Sequence, residues 1–378
     1  MLVAGEPSGD LLGARLMAGL RELTGDRVEF VGIGGEQMIA GGLHSLFPME
    51  ELSVMGLVEV LPRARRILRR LRQTTDFALA QKPDVLVTID SPGFCYRLAE
   101  RLQGHGIPLV HFVAPQVWAW KAKRIVTTAR LFDRLLCLLP FEPALFPNMQ
   151  ADFVGHPVVE GGAGRGDGAA FLARHGIAPT ATVLAVLPGS RAGEVGRHLP
   201  IFRATVTRLQ KEWPDLHTVM PTVAGVADLV RASASTWPGR LTVVSGQAEK
   251  FNAFAAANVA LAASGTVALE LALSRVPAVI AYRLSPITAW LVRRAVKVRY
   301  VNLVNILLDR PVVPELLQED CRPDRLAAAL GSLLADEGAR HTQLAEIDRV
   351  ATMLGQGGEA PSRRAAAAVL EAIKGDSQ

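Results

Sequence analysis

The stretch "LVAGEPSGDLLG", Leu2 to Gly13, decides how the rest of the chain is read. Leu2, Val3 and Ala4 are a short apolar run, Gly5 opens a loop, and apolar residues at three- and four-residue spacing follow from Leu11 to Leu23. Strand, glycine loop and helix in that order begin a parallel α/β sheet, and the loop lies where such sheets bind ligands. The same order can cradle a phosphate on a helix N-terminus. Glu6 and Asp10 oppose that use. Two like charges roughly 4 Å apart repel by about 4 kcal/mol at an effective dielectric of ~20. The loop suits hydroxyl groups and proton abstraction better than phosphate.

The alternation continues along the chain. Strand-like runs are read at Leu2–Ala4, Val28–Ile33, Val85–Ile89, Leu109–Val113, Leu135–Leu139, Val183–Leu187, His217–Met220, Leu241–Val244, Val259–Ala263 and Ala278–Tyr282. Helical patterns such as Leu199 to Trp213 lie between most of them. This is the grammar of βαβ units. The Gly-rich stretch "VVEGGAGRGDGAAF", Val158 to Phe171, reads as a linker between two halves of similar strand content. Two doubly wound α/β domains facing a cleft are expected, over 1–160 and 161–349, with a helix over about 350–378 packing back on the first.

Composition narrows the class. Of 378 residues, 49% are hydrophobic and 20% charged, so most of the chain folds. A net charge of +5 fits anionic partners or simply aids solubility. Three scattered cysteines without a CxxC point to a reducing compartment and no zinc site. No secretory leader or membrane span is expected, because the long uncharged runs are broken by Gly, Asn or Pro.

Chemistry collects where the runs end. "GEPSGD" follows the first, Asp90 and "SPGF" follow "DVLVTI", "APQVWAWKAKR" follows "LVHFV", "PGSRAGE" follows "VLAVL", and "SGTVALE" follows "VALAA". Turns need Gly, Ser and Pro anyway, but five such loops in one chain weaken that explanation. In the second half, Gly189, Ser190 and Arg191 offer backbone N–H groups and a forked donor to an anion. Ser264, Gly265 and Thr266 repeat the arrangement. Glu270, one turn further on, is placed either to accept from two ribose hydroxyls or to stand on a solvated helix face. In the first half the loops carry Glu6, Asp10 and Asp90. Hydroxylated substrate in one domain and phosphates in the other mean sugar transfer from a nucleotide donor.

Several motifs are missing: GxGxxG after the first run, GxxxxGK[ST], HExxH and any Asp-x-Asp. Dinucleotide chemistry is therefore weak, and neither a metal nor a cofactor is expected. Two basic stretches stand out. "LPRARRILRRLR" packs six arginines between Arg63 and Arg72, with Leu61, Ala64, Leu68 and Leu71 on one helical stripe; "WLVRRAVKVRY" carries Arg293, Arg294, Lys297 and Arg299. Each fits an anionic membrane surface or an ordinary surface helix. No nucleic-acid-binding motif accompanies them.

Together, "AGEPSGDLLGARL", "MEELSVMGLVEVL", "VAPQVWAWKAKR", "LLPFEP", "FVGHP", "LPGSRAGEV", "ASGTVALELAL" and "YVNLVNIL" resemble the lipid-A-disaccharide synthases, from Val3 to about Leu370. The resemblance implies an inverting glycosyltransferase of the B-type fold, with two Rossmann-like domains. It implies UDP-2,3-diacylglucosamine as donor, 2,3-diacylglucosamine 1-phosphate (lipid X) as acceptor, and a β-1,6 disaccharide 1-phosphate plus UDP as products. It places the enzyme in the cytoplasm, on the inner face of a Gram-negative inner membrane. Members also form dimers by exchanging C-terminal segments, so a homodimer is among its implications. Carried over by motif, Asp90 is the leading catalytic carboxylate, with Glu6 and Asp10 beside it. Ser8, Gly9, Gln116 and Trp118 join the substrate-binding candidates. Arg191 meets the UDP phosphates, Glu270 the ribose, and Asn305 lies near the nucleotide. Many relatives have Asp and Asn where this chain has Gly93 and Cys95. The nearest alternative is another UDP-sugar enzyme of the same fold, a UDP-N-acetylglucosamine epimerase or a hexosaminyltransferase. A catalytically inactive membrane-surface protein is the alternative of a different class.

Overall fold

A strand covered by helices on both faces must be apolar along its whole length. The runs "LVTI", "VLAVL" and "VALAA" meet that demand: every residue of each is buried. The computed structural model describes residues 1–52, 57–117, 123–285, 288–289 and 299–375, and among them every strand pairing is parallel. One sheet contains β1 (Leu2–Ala4), β2 (Val31–Ile33), β3 (His44–Ser45), β4 (Leu86–Ile89), β5 (Leu109–Phe112), β6 (Arg134–Cys137) and β7 (Gln150–Phe153), in the order β3-β2-β1-β4-β5-β6-β7. The other contains β8 (Val183–Leu187), β9 (His217–Thr222), β10 (Arg240–Ser245), β11 (Val259–Ala263), β12 (Ala278–Tyr282) and β13 (Glu315–Leu317), in the order β10-β9-β8-β11-β12-β13.

Both orders reverse once, between β1 and β4 in the first sheet and between β8 and β11 in the second. The carboxyl edge at such a reversal is the ligand crevice of a doubly wound sheet. "GEPSGD" and Asp90 stand at one reversal, "PGSR" and "SGTVALE" at the other.

The chain divides into two compact units, Met1–Pro157 with Gly357–Gln378, and Val158–Gln356. The divisions at 157/158 and 356/357 compare with the expected 160/161 and 349/350. The helix Glu337–Met353 thus belongs to the second unit, and the return to the first begins at Gly357. There the helix Pro361–Gly375 lies against the helix Pro7–Thr24. The crossing is close because Gly19 has no side chain: a β-carbon there would sit 2.6 Å from the Ser362 carbonyl oxygen and 3.1 Å from Ala366 Cβ. Arg134, buried at the start of β6, fixes the other side. Its guanidinium donates to Asp152 (2.6 Å), to the Ala368 carbonyl (2.6 Å) and to Glu371 (2.6 Å).

Three strands escape the sequence reading: β3, β7 and β13. All are edge strands, and none contains a fully buried residue. An edge strand needs no apolar run, because one of its flanks is open.

Candidate active site

In the first unit the carboxyl ends of β4 and β5 are conformationally unusual. Asp90 and Ser91 are consecutive non-glycine residues in the left-handed region, at φ 50° and 45°, and Val113 follows β5 at φ 84°. A β-branched residue at positive φ is uncommon. Such residues cost on the order of 1–3 kcal/mol each and persist where the surroundings hold them. The last rungs of the sheet do so here: Asp90 N donates to Phe112 O (2.9 Å) and Val113 N to Leu136 O (3.0 Å). The turn brings Ser91 to the start of the helix Pro92–Leu102 and leaves Asp90 half-buried at the sheet edge. Burial holds the Asp90 carboxyl above its usual range, and a hydrogen bond from the Ser91 backbone partly offsets this. Cys95 is buried behind it, and its thiol is pushed up by burial and by the Asp90 charge. Nearby His111 is also buried; its Nδ1 lies 2.7 Å from Thr88 Oγ1, and burial pushes its pKa down to about 3, so it stays neutral.

The three residues expected at the opening loop separate. Glu6 takes the N-cap position of the helix Pro7–Thr24, half-buried, its carbonyl accepting from Asp10 N. Ser8 is exposed, and Gly9 is buried beside Ile89. Asp10 turns into the protein. It is 5% exposed, and its carboxylate accepts the backbone N–H groups of Gly35 (2.9 Å), Gln37 (3.0 Å) and Met38 (3.0 Å), closing the N-terminus of the helix Glu36–Ala40. Gly35 must be glycine for this, since a β-carbon would lie 2.7 Å from Asp10 Oδ2. Those bonds give Asp10 an architectural task that its position in "GEPSGD" does not reveal. Gln116 is exposed after β5; Trp118 lies outside the described residues.

In the second unit, the ends of β8, β9, β10 and β11 surround a cavity of about 900 Å³. Gly189 and Ser190 line it from one strand end, and Ser264, Gly265, Thr266 and Glu270 from another. Six sequence candidates, the helical acid Glu270 among them, therefore meet in one place. Gly189, at φ 127°, is required: a β-carbon would lie 2.9 Å from Glu194 Cβ. Arg191 is not among the lining residues. It is the N-cap of the helix Ala192–Leu209, its side chain is 66% exposed, and it reaches Glu194 at 3.5 Å. Glu194 in turn accepts from Tyr282 Oη (2.9 Å) and, more weakly, from Ser190 N (3.4 Å). Burial, and then the hydrogen bond to Glu194, push the Tyr282 phenol up to about 12. His198 locks the loop from below. Its Nδ1 donates to the Pro188 carbonyl (2.8 Å), so its Nε2 accepts from Arg283 N (3.0 Å), tying the end of β8 to the end of β12. Burial holds this imidazole below its usual pKa, and the hydrogen bond to Pro188 opposes the shift.

The sequence reading missed two cations of this cavity, Arg231 and Lys250. Lys250 donates to both carboxylate oxygens of Glu270, at 2.7 and 2.9 Å. Both residues belong to helices that follow strands, and no motif spacing links positions 250 and 270.

Asn305 was expected to bind substrate, and the structure gives it other work. It is 1% exposed; its Oδ1 accepts from Val312 N (3.0 Å) and Val313 N (2.9 Å), and its Nδ2 donates to Val313 O (2.8 Å) and Glu315 Oε1 (2.8 Å). Glu315 also accepts from Val301 N (2.9 Å) and Asn302 N (3.0 Å), so "YVNLVN" folds around this one carboxylate.

Of the basic stretches, the first lies on the helix Leu57–Gln81. Arg65, Arg66, Arg69 and Arg72 are exposed, and Leu68 is 43% exposed beside them. Arg70 differs: it forms a two-point pair with Glu51 (2.8 and 2.6 Å) and lies 4.5 Å over the Phe47 ring. The side chains of Leu61, Arg63 and Ala64 are outside the described residues, as are positions 290–298 of the second stretch; Arg299 is exposed. Among the described residues no helix is long and apolar enough to cross a membrane, and no three His, Cys, Asp or Glu side chains form a metal-binding group.

Known proteins share this construction. Over 99% of both chains, the structure is similar to the UDP-GlcNAc 2-epimerase from Neisseria meningitidis bound to UDP-GlcNAc, with a TM-score of 0.63 and 12% identity. Over 98% of both chains it is similar to the glycotransferase of kitacinnamycin, with a TM-score of 0.64 and 17% identity. Two doubly wound units, each with its reversal, make this the B-type glycosyltransferase fold. The family model described as lipid-A-disaccharide synthetase matches residues 1–369. The lipid-A-disaccharide synthase of Rhodospirillum centenum is 57% identical over 376 residues, 98% of this chain and 94% of that protein. The chain belongs to the lipid-A-disaccharide synthase family, and it is a glycosyltransferase. Membership decides for that family over the epimerase reading, which shares the loops of the second unit.

Proposed function

We propose that the protein joins UDP-2,3-diacylglucosamine to 2,3-diacylglucosamine 1-phosphate, releasing UDP and forming the β-1,6 disaccharide 1-phosphate. The observation that carries the reading is the division of chemistry between the two units. The second has a cavity of about 900 Å³ edged by Gly189, Ser190, Ser264–Thr266 and Glu270, a size suited to a nucleotide. The first presents a half-buried carboxylate, Asp90, whose backbone is held in a rare conformation at a strand end.

In this reading the acceptor's 6-hydroxyl attacks C1 of the donor from the face opposite UDP. The C1–O bond to the diphosphate breaks, configuration inverts, and Asp90 receives the hydroxyl proton. A raised carboxyl pKa makes Asp90 the stronger base, since proton-accepting power follows basicity. Charge growing on the departing diphosphate is met by backbone N–H groups at Gly189–Ser190 and by Arg191. Glu270 accepts from the ribose hydroxyls. Glu6 and Ser8 stand on the acceptor side, and Asp10 supports that loop from within.

The lipid substrates also explain the basic helix. Arg65, Arg66, Arg69 and Arg72, with Leu68 exposed among them, would rest on the anionic cytoplasmic face of the inner membrane, where both acylated sugars reside. Association into homodimers accompanies the same reading.

The test is UDP release, measured with donor alone and with donor plus lipid X. Release that requires lipid X supports the proposal; release with donor alone, or with a water-soluble glucosamine acceptor equally well, overturns it.

A further inference from the structure

We infer that Lys250 is a positioning residue for the nucleotide's ribose, setting the orientation of Glu270 and balancing its charge. The inference rests on the reading of the cavity as the UDP site.

Lys250 lies on the helix Gln247–Ala256 after β10, and Glu270 on the helix Val267–Leu273 after β11. Their contact joins two helices at the cavity wall, which both residues line. Both side chains are mostly buried, at 24% and 19% exposure, and the ammonium also lies 4.8 Å over the Phe251 ring. The geometry is two-point, one ammonium on both carboxylate oxygens. A carboxylate has about four lone-pair sites. Lys250 uses two and leaves two, which is what a vicinal diol's two protons need.

Charge gives the second reason. The carboxylates lining the cavity are Glu194, Asp228 and Glu270, and each has its own partner. Glu194 accepts from Tyr282, Asp228 is fully exposed to solvent with Arg231 at 3.5 Å, and the mostly buried Glu270 has Lys250. A carboxylate repels a bound anion least where solvent screens it or a cation is paired with it, and a buried one has only its partner. Without Lys250, Glu270 would face the diphosphate as a largely desolvated negative charge, and its oxygens would be free to turn. The first effect weakens every uridine diphosphate equally. The second weakens only those with hydroxyls to hold, and this separates positioning from simple charge balance.

Calorimetric titration of UDP and 2′-deoxy-UDP into the wild type, Lys250→Met and Lys250→Arg tests this. A hydrogen bond to a charged group is worth about 10- to 100-fold in affinity, so the wild type should prefer UDP to 2′-deoxy-UDP by that factor. Lys250→Met should shrink the preference to about threefold or less, and Lys250→Arg, which can still reach both oxygens, should keep most of it. Lys250→Gln serves if the Met variant does not fold. In turnover, Lys250→Met should raise the donor KM and leave kcat nearly unchanged. A Met or Gln variant that keeps the full ribose preference overturns the inference while the UDP site stands. A wild type that binds UDP without ribose preference overturns the inference and the role given to Glu270. A wild type that does not bind UDP overturns the reading of the cavity, and the inference with it.

Discussion

Gly5 and Ser91 are packed so closely that a β-carbon on Gly5 would lie 2.4 Å from Ser91 Oγ and 2.9 Å from Ser91 Cβ. The end of β1 therefore presses on the turn that carries Asp90. Gly5→Ala should displace that turn and lower kcat at least tenfold, with UDP affinity unchanged because the cavity proposed for the nucleotide lies in the other unit. Ser91→Gly removes both clashing atoms and suits φ 45°. The double variant should regain most of the lost activity. Additive losses in the two single variants and the pair would show that the contact is not the cause.

Asp90→Asn keeps the shape and removes the basicity. It should lower kcat by about 10²–10⁴ and leave donor binding unaltered. It should also raise Tm at neutral pH. The folded-state pKa of Asp90 is raised, so ionisation destabilises the native state, and stability falls as pH rises from the ordinary carboxylate range through the folded value. The Asn variant escapes that loss, and the two melting curves should converge at pH values below the ordinary aspartate pKa. Near-normal turnover in Asp90→Asn, with loss in Glu6→Gln, would move the base to the opening loop.

Asn305→Ala strands the backbone N–H and carbonyl of Val313 in a buried place, while Val312 N keeps a second acceptor, the Arg310 carbonyl (3.0 Å). Each unsatisfied group costs about 1–3 kcal/mol, so the variant should be destabilised by several kcal/mol in urea unfolding. UDP affinity in the folded fraction should stay close to wild type. A stable variant with weakened UDP binding would return Asn305 to the nucleotide site.

Arg191→Ala should weaken UDP by roughly ten- to over a hundredfold, the worth of a charge-assisted hydrogen bond. The side chain stands outside the cavity wall, 3.5 Å from Glu194, so the effect requires it to swing from Glu194 to the diphosphate. Unchanged affinity by calorimetry would leave it as a surface partner of Glu194.

Replacing Arg65, Arg66, Arg69 and Arg72 with Gln should reduce co-sedimentation with anionic vesicles, more so at low salt. The melting temperature should not change. Arg70 is left intact, because its pair with Glu51 joins the helix to the preceding loop. Equal sedimentation of variant and wild type would make this a solvated helix face.

The sequence made the sheet interior legible and three of its four margins illegible. All ten runs read as strands fall on strands: nine lie inside a sheet, where burial on both faces leaves an apolar signature, and the tenth, Leu241–Val244, belongs to the edge strand β10. β3, β7 and β13, each at a sheet edge, carry none. The loops at strand ends were equally plain, since Gly189, Ser264 and Asp90 sit where the fold concentrates chemistry. Which way each polar side chain turns was not. Asp10 and Asn305 look like ligand residues in their motifs, yet their hydrogen bonds go to backbone 25 and 8 residues away. Lys250 carried no signal, because its partner is twenty positions distant on another helix.

The tether at Arg134 has a consequence for synthesis. The helix that covers Gly19 and receives the Arg134 guanidinium is encoded after the whole of the second unit. As the chain leaves the ribosome, the second unit, continuous from Val158 to Gln356, has all its parts before the first does. The first unit meanwhile waits with the apolar flank of its opening helix uncovered and a buried arginine short of two partners. The usual N-terminal-first order of domain completion is therefore inverted in this protein, and a chain truncated after Gln356 should resist protease in its second unit while its first is still cut.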